Sequence, residues 1–232
     1  MPATTTDPDV ALTRWMQLHD SAFPAGRMVH SHGLEEWLAA RPGADAAALE
    51  TAVCGYLTHG FGPLDATVTA HAWLAADSPR SLSDLDELTG SYKLFDNART
   101  ASTSTGRQLA ATAVDIGIAV DHQYLVAVRD GKNPGHAAVV DGVVQAQLGV
   151  PQQLAVLGAV RSMMASMLSA AVRLGRLGPL QSQRIQLRNA DLAVRLARES
   201  CQRPLQDLSG TAPGLEISGM RHEERTSRLF AT

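Results

Sequence analysis

Between positions 82 and 99, Leu82, Leu85, Leu88, Tyr92, Phe95 and Arg99 recur at steps of 3, 3, 4, 3 and 4. That spacing keeps one stripe along a helix and would scatter the same side chains over both faces of a strand. It predicts a long, polar-faced helix running on toward Ala119. Thr103-Ser104-Thr105-Gly106 is poor helix material, so a kink or a packed polar patch is expected there. Only 4% of the residues are aromatic, and much of the apolar content is Ala and Leu, which favour helix over sheet. The expected fold is all-α: a single-domain helical bundle over residues 7–200 with a flexible C-terminal tail. Residues 1–6 read as a disordered tip. Residues 201–232 read as an irregular arm and tail, because 201–219 hold three Gly and two Pro.

Asp7 is placed to cap a first helix with Pro8 at its first position. Leu12, Trp15, Met16 and His19 or Leu18 are its expected buried face, and it ends before Pro24. Phe23–Arg27 reads as a loop. Ser31 opens a short helix carrying Leu34, Trp37 and Leu38, and Asp45 caps the next. Gly60-Phe61-Gly62-Pro63 predicts a break before a helix over Leu64–Ala76. Tyr124–Val128 reads as helix or loop, since a lone strand has no partner. Asn133-Pro134-Gly135 is a turn, His136–Leu148 a helix, and the segment from Pro151 the most buried helix, with Ser162, Ser166, Ser169 and Arg173 on one side. A last helix is expected over Leu180–Ser200.

The chemistry is sparse. A net charge of -3 gives no basic field for nucleic acid or an anionic membrane. GxxxxGK[ST], HExxH, GxSxG and CxxC are all absent. Cys54 and Cys201 are expected to be filler rather than a disulfide. The N-terminus lacks a secretory pattern, and Arg161 interrupts the longest apolar run, so a cytoplasmic protein without a membrane span is expected. His30 and His32 are weak metal candidates, since residues two apart share no helix face. His19 and His71 read as core-edge residues. Asp65 and Asp115 read as partners for Arg, and Arg99 and Arg107 as helix-surface residues.

Leu18-His19-Asp20-Ser21-Ala22-Phe23-Pro24-Ala25-Gly26, followed by His30-Ser31-His32-Gly33-Leu34-Glu35, resembles the N-terminal signature of the urease accessory protein UreF family. Phe61–Ala66, Ala98–Thr100 and Gly106–Leu109 follow in family order. Met220-Arg221-His222-Glu223-Glu224 and Ser227-Arg228-Leu229-Phe230 are similar to the family's C-terminal ending. Two departures stand out: Arg27-Met28 where the family often has Gly and Phe, and a shortened Gly178-Pro179-Leu180-Gln181 turn, where any family part in a nickel conduit is less secure.

The resemblance implies an all-α, non-catalytic adaptor. It would dimerise, bind UreD (also called UreH), recruit the GTPase UreG and serve nickel insertion into apo-urease. It would hold no cofactor stably, with nickel as cargo and GTP belonging to UreG. The expected partner-binding residues are Pro24, Gly26, His30, Ser31, Gly33 and Glu35, with Arg221, His222, Glu223, Arg228, Leu229 and Phe230. Leu229 and Phe230 are the expected apolar anchors. A fold-back of these two onto the bundle is the alternative for the tail. For the whole chain, the alternatives are a small helical metal-binding protein at His30 and His32, or a helical enzyme using them with Asp20.

Overall fold

The computed structural model describes residues 7–224 and 226–231, so the expected tip at 1–6 lies outside it. Every regular element among the described residues is helical: α1 (Pro8–Leu18), α2 (Leu34–Ala39), α3 (Ala46–Tyr56), α4 (Thr67–Leu74), α5 (Pro79–Ser91), α6 (Asp96–Asp115), α7 (Gln123–Arg129), α8 (Ala137–Gln147), α9 (Gln152–Arg173), α10 (Pro179–Arg188), α11 (Ala190–Gln202) and α12 (Pro213–His222), with short 3-10 turns at Arg27–Val29 and Leu205–Asp207. The all-α expectation holds.

Local signals set several of these starts. Asp7 accepts from the amides of Asp9 and Val10 at 2.8 and 3.3 Å, and Asp45 accepts from Ala48 at 2.8 Å. α9 is the only helix among the described residues long and apolar enough to cross a membrane, and most of its apolar stretch is buried within the protein. With α4 it separates two apolar clusters. Val68 and Ala72 of α4 join Leu82, Leu109, Leu125 and Val139 in one. Ala66 and Ala70 join Leu49, Val53, Val160 and Met167 in the other.

The structure corrects four boundaries. Gly60–Pro63 does not break the chain. Leu57–Ala66 is wound as a π-helix that links α3 to α4, with Pro63 inside it. A proline removes one donor and crowds the preceding turn, and here the spared carbonyls find other donors. His59 O accepts from the Thr211 amide at 2.9 Å and Gly62 O from the Ser200 hydroxyl at 2.9 Å. Second, the single helix expected from Leu82 toward Ala119 is two, parted at Tyr92–Phe95, where the Lys93 ammonium reaches Asp65 at 2.6 Å. Third, the last helix is divided at Asn189, whose amide nitrogen is tied to Glu50 at 2.7 Å. Fourth, the arm is not irregular throughout: it contains α12, and the tail beyond it is packed down rather than free.

α1 also turns differently from expectation. Ala11 and Leu18 face the core, while Leu12 and Met16 stand 43% and 62% exposed. α6 runs unbroken through its polar stretch, which is packed at Gly106 against the Gly135 backbone and at the neighbouring Ser102. Ser102 Oγ meets His136 Nδ1 at 3.0 Å and accepts from the Ala137 amide at 3.3 Å.

Candidate functional site

The N- and C-terminal motifs meet at one carboxylate. α2 opens at Gly33, whose φ of +80° suits glycine, and a Cβ there would collide with the Leu215 carbonyl of α12. This close approach seats α12 against α2. Glu35, in the first turn of α2, is buried and accepts three hydrogen bonds. The Leu229 amide donates to Oε1 at 3.0 Å, and the Phe230 amide and His222 Nε2 donate to Oε2 at 3.2 and 3.0 Å. Burial pushes the Glu35 carboxyl up, but the donors at Leu229, His222 and Phe230 outweigh it and hold the group below its ordinary range. The Ala231 amide donates to Val29 O at 2.9 Å and continues the seam.

Phe230 is therefore packed onto its own bundle, 3% exposed, with the Arg173 guanidinium 4.4 Å above its ring. It is not an exposed anchor, because its ring completes the cluster around Leu34 and Met167. Leu229 faces outward beside exposed Arg221 and Arg228, with Glu223 half-buried. The Glu223 carboxylate accepts from the Asn97 amide at 2.8 Å and so ties α12 to α6. Of the remaining motif residues, His30, Ser31, Gly33 and His222 are buried. Pro24 O accepts from the Thr112 hydroxyl at 2.9 Å, and Gly26 takes a φ of +70°.

Behind this seam lies a cavity of about 180 Å³, walled by the π-wound segment, the Tyr92–Phe95 loop, α6, α9 and α12. His32 lines it and is the one non-glycine residue at positive φ among the described residues, at 52°. Side chains avoid that conformation except where the surroundings impose it. Burial lowers the His32 imidazole to about 3, with neighbouring His30 adding to the effect, so the ring is neutral at physiological pH. Burial lowers His30 as well and pushes the Tyr56 phenol up. The ring centroids of His30 and His32 lie 6.3 Å apart, and those of His32 and Tyr56 6.4 Å.

Two ion pairs border the cavity. Lys93 pairs with Asp65, which expectation had given to an arginine. Arg27 pairs with Asp141 at 2.7 Å and accounts for the departure at Arg27-Met28. A glycine there would leave Asp141 with only the Gln145 amide, at 3.0 Å.

The metal expectation finds little in this geometry. No three His, Cys, Asp or Glu side chains converge on one point among the described residues. Asp20 is exposed and lies outside the cavity, so it does not join His30 and His32 as the enzyme alternative requires. The Lys93–Asp65 pair and the orientation of His32 were missed from sequence. Two glycines and a proline beside Asp65 were the available signal for an irregular helix.

A family model described as UreF matches residues 43–190. The urease accessory protein UreF of Kocuria rhizophila is 35% identical over 227 residues, covering 93% of this chain and 94% of that protein. This chain belongs to the UreF family. UreF of Roseobacter denitrificans is 30% identical over 231 residues, 98% of this chain and 96% of its own. UreF of Bacillus sp. (strain TB-90) is 28% identical over 221 residues, 92% and 96% respectively. The matches to these UreF relatives cover almost the whole chain.

Proposed function

We propose that this UreF-family chain is a non-catalytic cytoplasmic adaptor in urease maturation. It docks UreD (also called UreH) and the GTPase UreG, works as a homodimer, and supports nickel insertion into apo-urease. Family membership along almost the whole chain carries the proposal. The seam at Glu35 adds to it. One carboxylate holds both end motifs, and exposed Leu229, Arg221 and Arg228 lie along the C-terminal one. An apolar side chain flanked by arginines suits the centre of a protein interface. GTP belongs to UreG and nickel is cargo.

Co-expression with UreD and UreG, followed by affinity capture and mass determination of the eluate, tests this. A defined complex with two copies of this chain is expected. Recovery of the chain alone, folded and monodisperse, overturns the adaptor role. Leu229→Asp, which alters an exposed side chain and keeps the backbone amide that Glu35 accepts from, is expected to weaken capture at least tenfold while leaving helicity unchanged.

A further inference from the structure

We propose that the cavity behind the Glu35 seam binds a small uncharged organic molecule, an apolar or aromatic body of about six to ten heavy atoms carrying one hydroxyl-type group that can accept as well as donate a hydrogen bond. Its size is the first argument. The volume is about 180 Å³, and an apolar cavity of about 150 Å³ in another fold accepts benzene. Phe61, Leu64, Phe95, Leu109 and Met163 supply apolar wall.

The second argument is an unmatched polar end. Neither the His32 imidazole nor the Tyr56 hydroxyl makes a hydrogen bond to any described residue, and Asn97 Nδ2 is buried without a partner. All three residues line the cavity. Buried polar atoms in folded proteins nearly always have partners, so the buried Asn97 amide nitrogen selects a ligand with an acceptor to meet it, and the half-buried His32 ring and Tyr56 hydroxyl stand at the same cavity. The positive φ of His32 holds its ring at this wall.

Charge decides the class. Lys93 and Asp65 neutralise each other at 2.6 Å, and Arg27 and Asp141 at 2.7 Å. Glu216 Oε1 is engaged by the Ala212 amide at 3.0 Å. An anionic ligand would enter without a free counter-charge, which is costly at this depth, and a cation would meet only the half-buried Glu216 carboxylate, already engaged by the Ala212 amide. A divalent cation would find no three converging donors. Leu215 and Gly219 of α12 form one wall, so the ligand would bridge the C-terminal helix and the bundle.

The test uses the full chain with indole, phenol and nickel(II) chloride as separate probes, read by calorimetry and ligand-observed NMR. Saturable 1:1 binding of phenol is expected, with a Kd of about 0.1 mM for a ligand of this size, and weaker binding of indole, which has no acceptor for the Asn97 amide nitrogen. Ala101→Leu fills the cavity and is expected to abolish binding. His32→Asn removes the ring while tolerating the positive φ and is expected to weaken binding at least tenfold. If Ala101→Leu does not fold, His32→Asn decides alone. Failure of both organic probes to saturate at millimolar concentration overturns the proposal. So does binding that both variants leave unchanged, or displacement of indole by nickel.

Discussion

Removing the Glu35 carboxylate should release the tail before it unfolds the bundle. In Glu35→Ala the amides of Leu229 and Phe230 and Nε2 of His222 lose their shared acceptor. A hydrogen bond to a charged group contributes about 1.5–3 kcal/mol. The three losses do not add, because residues 226–231 can swing into solvent and rehydrate. Undocking also exposes Phe230, whose burial is worth about 1.5–3 kcal/mol, and that limits the loss from above. The free energy of local opening should fall by about 2–3 kcal/mol. The amides of Leu229 and Phe230 should then exchange about 30 to 150 times faster, while those of α9 change far less. Glu35→Gln should rescue little, because its NH2 would face an N–H donor at one of the two occupied oxygen positions. Hydrogen exchange read by mass spectrometry or NMR makes the comparison. Unchanged exchange at Leu229 and Phe230 in Glu35→Ala, or full protection in Glu35→Gln, would refute the anchor argument.

Other perturbations probe the interior. Arg27→Gly strands a buried Asp141 carboxylate and should cost about 2–4 kcal/mol, measured as a shift in the urea midpoint. Lys93→Met should destabilise by a similar amount, and adding Asp65→Leu should recover most of the loss in a double-mutant cycle. Gly106→Ala drives a Cβ into the Gly135 carbonyl and should cost more than about 3 kcal/mol or prevent folding, seen as loss of the thermal transition. Burial holds His19 at about 4 and His32 at about 3. Both take up a proton on unfolding between about pH 6.5 and 4, so stability should fall on acidification by up to about 1.4 kcal/mol per pH unit for each histidine. Denaturation at three pH values should show that slope, reduced in His32→Asn; a flat profile would contradict the buried neutral rings.

Signals confined to a few residues were legible in the sequence. Asp7 and Asp45 announce their helices because a cap needs only its own first turn. Periodicity was less secure where both helix faces carry apolar residues. Leu12 and Met16 share the spacing of a buried stripe, yet Ala11 and Leu18 face the core. The stripe from Leu82 to Arg99 is helical on both sides of a break it did not reveal. That break is set by a long-range partner, since Lys93 leaves the helix to meet Asp65, 28 residues earlier. Likewise, resemblance located the end motifs, but only packing shows that His222, Leu229 and Phe230 share Glu35. The cavity was illegible for the same reason, as its walls come from segments spread between residues 27 and 219.

The π-wound segment has a consequence for which sequence changes the fold tolerates. α3 and α4 are one rod, and the wide winding between them sets the rotational phase of the second half relative to the first. Each residue of an ordinary helix advances about 100°. Deleting one residue between Leu57 and Ala66 would keep the rod but turn α4 on its axis by roughly that angle. Thr69, whose hydroxyl donates to Ala138 O at 3.1 Å, and His71, whose Nε2 meets Arg203 O at 2.9 Å, would swing away from their partners. Substitutions in this stretch are local events; a change in its length is felt at every layer packed on α4.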